Sequence, residues 1–249
     1  MIAARRSLSL LGAPVELALL PERAARRAAS EAVLRSDRAA LILANEALWR
    51  CPDPAAVLTP NRYPFAEAAS LLWSANVGRE AKPDLIALAL DLAEQHGGTV
   101  MMNTMGAAAT LPRAHLHLTA ERLPFLAQLP CVPVSAAELG VPCDDAIVVR
   151  LAPPFPGLVL GVRGDRAARA RVASRLLELR AAPAANLISD GETTWVAPRR
   201  VETPVPHYAS PLGCAELWGR FCFEDAAEFE AATATSLLAA LAAALWPPL

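Results

Sequence analysis

Apolar residues in this chain fall into short runs bounded by Pro, Gly or Asn and into longer runs with helical spacing. The short runs predict strands at Val15–Leu20 (stopped by Pro21), Ala56–Thr59, Ala69–Ser74, Thr99–Asn103 and Ala114–Thr119. Residues 22–48, rich in Ala, Arg and Leu and free of Gly and Pro, predict a helix, with a break near Ser36-Asp37. A second helix is predicted over Pro83–His96, where Leu85, Ala89, Leu92 and Ala93 share a face and Gly97-Gly98 closes the run. The rest of the chain predicts strands at Asp145–Ala152, Gly157–Val162, Ala185–Ser189, Thr193–Val196 and Leu217–Phe223. It predicts helices at Asp165–Arg180, with Val172, Leu176 and Leu179 on one face, and at Ala226–Leu245.

The order strand–turn–strand–helix–strand–strand thus occurs twice, and the text rhymes, AVLTPNRYPFAEAASLLW against VVRLAPPFPGLVLGV. This predicts an α+β fold in which the whole chain, 1–249, forms one domain built as a degenerate internal duplication. Simple alternation of helices and strands is the competing explanation.

Composition narrows the function classes. The chain is 54% hydrophobic and 19% charged with a net charge of −2, which fits a globular protein and offers no basic field for nucleic acid. Lys82 is the single lysine, so arginines and backbone N–H groups are the expected grips on phosphate. The five cysteines show no C-x-x-C spacing, which argues against a zinc ribbon or disulfide framework and for a reducing, cytoplasmic setting. Ser236–Trp246 is strongly apolar but falls short of the roughly 20 residues that span a bilayer, so no membrane association is expected.

Candidate chemistry concentrates in Asn103–Thr119, which reads NTMGAAATLPRAHLHLT. His115 and His117 stand at i, i+2, so on a strand both imidazoles face one side and Leu116 and Leu118 the other. The small-residue run from Gly106 lets backbone N–H groups come close to a phosphate. Each residue also has a plainer reading. An H-x-H pair is often structural, and two histidines do not make a zinc site. Asn61 suits a turn before Pro64, Thr119 suits any strand, and Arg113 suits a solvated loop. His96 suits a helix C-terminus, and His207 a Pro-rich surface loop.

Taken together, these motifs resemble the histidine-triad-like nucleotidyltransferases, most nearly the GDP-L-galactose and GDP-D-glucose phosphorylases. Asn61-Arg62-Tyr63-Pro64 is similar to the N-x-x-P turn of that superfamily, and Asn103-Thr104-Met105-Gly106-Ala107 through His115-Leu116-His117 to its N-S-L-G-A…H-x-H segment. Asn186–Asp190, Ala215–Phe223 and Phe229–Ala232 continue the likeness in order. Two departures stand out: Thr119 replaces the usual Gln or His, and the spacing from Gly106 to the first histidine is about two residues longer.

The resemblance implies a histidine-triad-like antiparallel sheet with helices, in which residues 50–135 form the catalytic half and residues 136–249 a degenerate half that walls the site. It implies cleavage of a GDP-hexose-like nucleotide sugar through a covalent nucleotidyl-histidine, with inorganic phosphate as acceptor and no metal or cofactor. His117 would be the nucleophile, its tautomer fixed by a backbone carbonyl, and His115 would hold a phosphate oxygen. Asn61, Asn103, Gly106, Ala107, Arg113 and Thr119 would line the substrate. An exposed sheet edge would favour a homodimer. The alternatives are a hydrolase of nucleotide diphosphates or dinucleotides, with water as acceptor, and a nucleotide-binding protein that has lost catalysis.

Overall fold

A computed structural model describes residues 2–23, 37–62, 64–109, 111, 113–179 and 184–248. In chain order, the first half contains β1 (Ala4–Leu10), β2 (Ala13–Leu19), α1 (Asp37–Asn45), β3 (Trp49–Cys51), β4 (Ala56–Pro60), β5 (Ser70–Ser74), α2 (Pro83–His96), β6 (Thr99–Asn103) and β7 (His115–Thr119). The second contains β8 (Cys131–Pro133), α3 (Ala136–Leu139), β9 (Ile147–Leu151), β10 (Leu160–Arg163), α4 (Arg166–Leu177), β11 (Ala185–Ser189) and β12 (Thr193–Pro198). There follow α5 (Cys214–Trp218), β13 (Arg220–Phe223), α6 (Ala226–Ala231) and α7 (Ala234–Ala244).

Ten strands form one antiparallel sheet in the order β3-β4-β5-β7-β6-β11-β12-β10-β9-β8. The order reads as two equivalent halves meeting at β6 and β11, which pair from Asn103↔Asn186 to Val100↔Ser189. Each half has three strands, a helix and two more strands, with the short α3 inserted after β8 in the second, so the predicted repeat of element order is present in the topology. β12 occupies in the second half the place that β7 holds in the first, and its sequence, TTWVAP, has no histidine.

The two faces of the sheet carry different cores. On one, α2 and α4 bury Leu85, Ile86, Val172 and Leu176 against Val100, Met102, Leu116 and Leu187. On the other, Met101, Ile188 and Trp195 meet α5, α7 and a small second sheet, β1-β2-β13, through Leu17, Trp218, Phe221 and Leu241. α2 matches its predicted bounds because Pro83 opens it and Gly97, at φ 68°, supplies the left-handed residue that ends it.

Three predicted elements differ. Leu217–Phe223 is not one strand: α5 runs to Trp218, Gly219 turns at φ 113°, and β13 begins at Arg220. The C-terminal helix is two, because Ala232 is extended and the Thr233 side chain caps α7 by accepting from Ser236 N. Of the predicted 22–48 helix, residues 37–45 are helical, residues 46–48 are not, and residues 24–36 lie outside the described residues. No helix among the described residues is long and apolar enough to cross a membrane.

Candidate active site

β7 lies between β5 and β6, near the middle of the first half of the sheet. His117 is opposite Leu71 and Met101, and His115 opposite Trp73. Leu116 packs under α2, so strand alternation turns both imidazoles to the other face. Their ring centroids are 5.4 Å apart, edge to face. His115 is buried and stacks on Trp73 at 4.9 Å, and the Trp73 indole N–H is anchored on Thr59 Oγ1 at 2.8 Å. His117 is partly exposed and lies 5.4 Å from the Phe65 ring, which packs in turn against Trp218.

The two rings differ in their hydrogen bonding. His115 Nδ1 is 2.8 Å from Arg113 O. A carbonyl only accepts, so Nδ1 carries the proton and Nε2 of neutral His115 keeps its lone pair. The carbonyl brace expected on His117 is therefore on His115, while His117 Nδ1 is buried with no hydrogen-bond partner among the described residues. Burial lowers the His115 pKa, and its bond to Arg113 opposes this in part. Burial, then the fields of His115 and Arg23, push His117 down to about 3. Both rings are thus neutral near neutral pH, and a neutral imidazole is the nucleophilic form.

Past His115, a buried polar network shapes the 104–109 loop. Asn103 Oδ1 accepts from Asn186 Nδ2 and Cys214 N, each at 2.8 Å. Asn186 also donates to Ala107 O at 2.9 Å and accepts from Arg199, whose guanidinium further donates to the carbonyls of Leu212 and Val201. Gly213 touches this network so closely that a β-carbon there would meet the Asn103 amide at 3.3 Å. The loop backbone turns left-handed at Gly106 (φ 79°) and Ala108 (φ 72°). Ala107 N–H is bonded to Thr104 O, and Ala108 N–H to the Glu202 carboxylate at 2.8 Å. The loop holds an anionic group at Ala108, from within the chain.

The other predicted residues are placed less centrally. Thr119 is buried, donating its hydroxyl to Glu67 O at 2.7 Å and accepting from Glu121 N at 3.2 Å. In this geometry it ties down the loop before β5, and its hydroxyl proton is not turned to a phosphate. Arg113 extends its guanidinium to Ala75 O at 3.5 Å, at the exposed end of the hairpin. Asn61 follows β4 and donates its backbone N–H to Ala69 O. Asn103, Gly106 and Ala107 are brought together with His115 at one end of β7; Thr119 and Asn61 lie toward the other.

Several residues at the site were not predicted. Arg23 lies 3.7 Å from the buried carboxylate of Glu216, and its charge reaches His117. Arg220, 1% exposed, bonds Glu16, Glu121 and Phe65 O and so holds the segment that carries Phe65 against His117. No sequence motif marks these partners, which come from distant parts of the chain. Among the described residues, no group of three or more His, Cys, Asp or Glu side chains is placed to hold a metal ion.

No protein-family model matches the chain, and no curated protein matches it in sequence. Solved structures do match. The yeast Ap4A phosphorylase Apa2 in complex with Ap4A superimposes with a TM-score of 0.67 at 14% identity, covering 99% of this chain and 91% of that one. The same enzyme in complex with AMP gives a TM-score of 0.69 at 14% identity, over 98% of this chain and 89% of that one. The likeness is one of fold: a histidine-triad-like α+β architecture over almost the whole chain.

Proposed function

We propose that this chain is a nucleotidyltransferase of the phosphorylase type, working through a nucleotidyl-histidine. The observation that carries the reading is the pair of neutral imidazoles on one face of β7, beside a loop whose Ala108 N–H already binds a carboxylate. In the first step, Nε2 of His117 attacks the α-phosphorus of the donor. An N–P bond forms, the bridging P–O bond breaks, and the distal phosphate ester leaves with the bond's electron pair. In the second step an oxygen of inorganic phosphate attacks the same phosphorus, the N–P bond breaks, and a nucleoside diphosphate is released. The nitrogen takes back the electron pair of the N–P bond, so the neutral imidazole is restored.

Access supports His117 rather than His115 as nucleophile, because His115 is buried against Trp73 whereas His117 is partly exposed. One observation favours the reverse: the Arg113 carbonyl fixes His115 with its Nε2 lone pair free. On the first reading His115 takes up a proton when the substrate phosphate arrives, and holds that oxygen. Residues 50–135 would then carry the chemistry, and residues 136–249 would supply the wall through Asn186, Glu202, Glu216 and Trp218.

For the donor, the sequence motifs support a nucleoside diphosphate hexose of the GDP-hexose kind. The likeness to an enzyme named for phosphorolysis of Ap4A supports a second donor class, the dinucleoside polyphosphates. Both require the same α-phosphorus chemistry. The test is to incubate the protein, without phosphate, with GDP-, UDP- and ADP-sugars and with dinucleoside tetraphosphates, and to measure intact mass. An acid-labile nucleotidyl adduct that is absent in His117→Ala identifies donor and nucleophile together. Absence of any adduct, with no turnover when phosphate is added, would sink the reading.

A further inference from the structure

A cavity of about 550 Å³ opens on the face of the sheet opposite the histidines, where the N-terminal end of α2 meets the C-terminal end of α4. Strand alternation fixes this separation. Met101 is opposite His117, so Met102, which lines the cavity with Leu177, points the other way. The volume is that of a small-molecule site, for which about 300–1,000 Å³ is usual.

The lining combines three chemistries. Met102 and Leu177 are buried and form an apolar wall. Arg79, Lys82, Arg171 and Arg175 bring four cations to the same space. Arg171 and Arg175 share Asp144, at 3.3 and 2.9 Å, so one carboxylate serves two guanidiniums. Arg79 and Lys82 are exposed and form no ion pair among the described residues. Glu80 and Glu178 add carboxylate oxygens that accept from hydroxyl or amine donors. The single lysine of a chain that otherwise uses arginine thus stands in this cavity.

We propose that this cavity is a second ligand site, for a mononucleotide. Its phosphate is held by Arg79 and Lys82, its base lies against Met102 and Leu177, and its ribose hydroxyls donate to a carboxylate of the lining. A mononucleotide is the class of metabolite that combines an anion, an apolar planar ring and hydroxyl donors at this size. The cavity wall includes Thr104 and Met105, the start of the loop that Asn103 and Asn186 hold beside His115. An occupant therefore bears on the loop of the histidine site from behind. The proposal does not depend on nucleotidyl transfer and stands or falls separately from it.

The uniqueness of Lys82 makes the test local. The protein is acetylated with a limiting amine reagent in the presence of AMP, GMP or UMP, and the Lys82 peptide is followed by mass spectrometry. At least one nucleotide is expected to slow Lys82 labelling about tenfold at a concentration roughly ten times its Kd. Arg79→Glu, an exposed loop change, is expected to abolish this protection, whereas His117→Gln leaves it intact. An unchanged Lys82 rate with all three nucleotides at millimolar concentration overturns the proposal. Equal protection by inorganic phosphate alone overturns the assignment to a nucleotide. Protection that survives Arg79→Glu and disappears in His117→Gln would place the ligand at the histidines and overturn it as well.

Discussion

Asn186 reaches across the seam between the two halves of the sheet and donates to Asn103 Oδ1 at 2.8 Å, so the second half fixes the residue from which the loop beside the histidines departs. Both side chains lie in one buried network with Arg199, Ala107 and Cys214. Asn186→Ala leaves those groups without their partner and is expected to cost about 1–3 kcal/mol of stability. Asn103→Ala is expected to cost a similar amount, and the double variant less than the sum of the two. Urea unfolding of the four proteins measures the coupling. Strict additivity would show that the two asparagines act independently.

The roles of the two imidazoles separate kinetically. His117→Ala is expected to lower turnover by roughly 10⁴-fold or more and to form no adduct, as removal of a covalent nucleophile does. His115→Asn is expected to cost about 10²–10⁴-fold while the adduct still forms. An adduct retained in His117→Ala and lost in His115→Asn would transfer the nucleophile's role to His115.

The depressed histidines also set a pH dependence of folding. Both imidazoles stay neutral in the fold, whereas free histidine protonates near pH 6.5, so below that pH the unfolded chain binds more protons. The contribution of His117 is full above about pH 6.5 and is lost as the pH falls toward 3, by at most about 1.4 kcal/mol per pH unit, and that of His115 is lost in the same direction. His117→Gln is expected to flatten the acid side of the stability profile. Denaturation of both proteins at a series of pH values provides the comparison, and parallel profiles would contradict it.

Arg220 joins three parts of the chain: Glu16 on β2, Glu121 after β7, and Phe65 O beside His117. Burial works against the Glu121 charge, but hydrogen bonds from Arg220 and Glu67 N outweigh it and lower its pKa. Arg220→Ala strands two carboxylates around an emptied, buried position and is expected to cost about 3–5 kcal/mol. It is also expected to loosen Phe65, so the variant should lose activity at temperatures where it remains folded. Thermal unfolding and turnover measured together test both effects.

Much of the frame was legible because local chemistry agreed with the tertiary outcome. Pro83 and Gly97 punctuate α2, and Thr99–Asn103 and Ala185–Ser189 are short apolar runs between breakers, with the predicted bounds in each case. Ala4–Leu10 alternates half-buried and exposed positions, ends on buried Leu10 and pairs with β2, and was not among the predicted strands. Leu217–Phe223 failed for a different reason: in a short apolar run the period does not separate helix from strand, and Gly219 divides the two. Trp49 is 39% exposed on the edge strand β3, whereas Trp73, Trp195 and Trp218 are in the core. Within the site, the histidine pair and its face could be read from i, i+2 spacing. The partners that set its electrostatics could not. Arg23 and Glu216 are held together only by the fold, and Glu202 meets Ala108 across 94 residues.

The ten-stranded sheet ends on both sides in strands of three residues, β3 and β8, and β8 finishes in a proline, which has no N–H to offer. A second copy adding to either margin would gain few hydrogen bonds for the order it imposes. The longest ladders of this sheet lie inside it, between β4 and β5 and between β11 and β12. Runaway growth of the sheet from chain to chain, the usual hazard of so wide an open β-structure, is therefore discouraged by the same arrangement that carries the histidines.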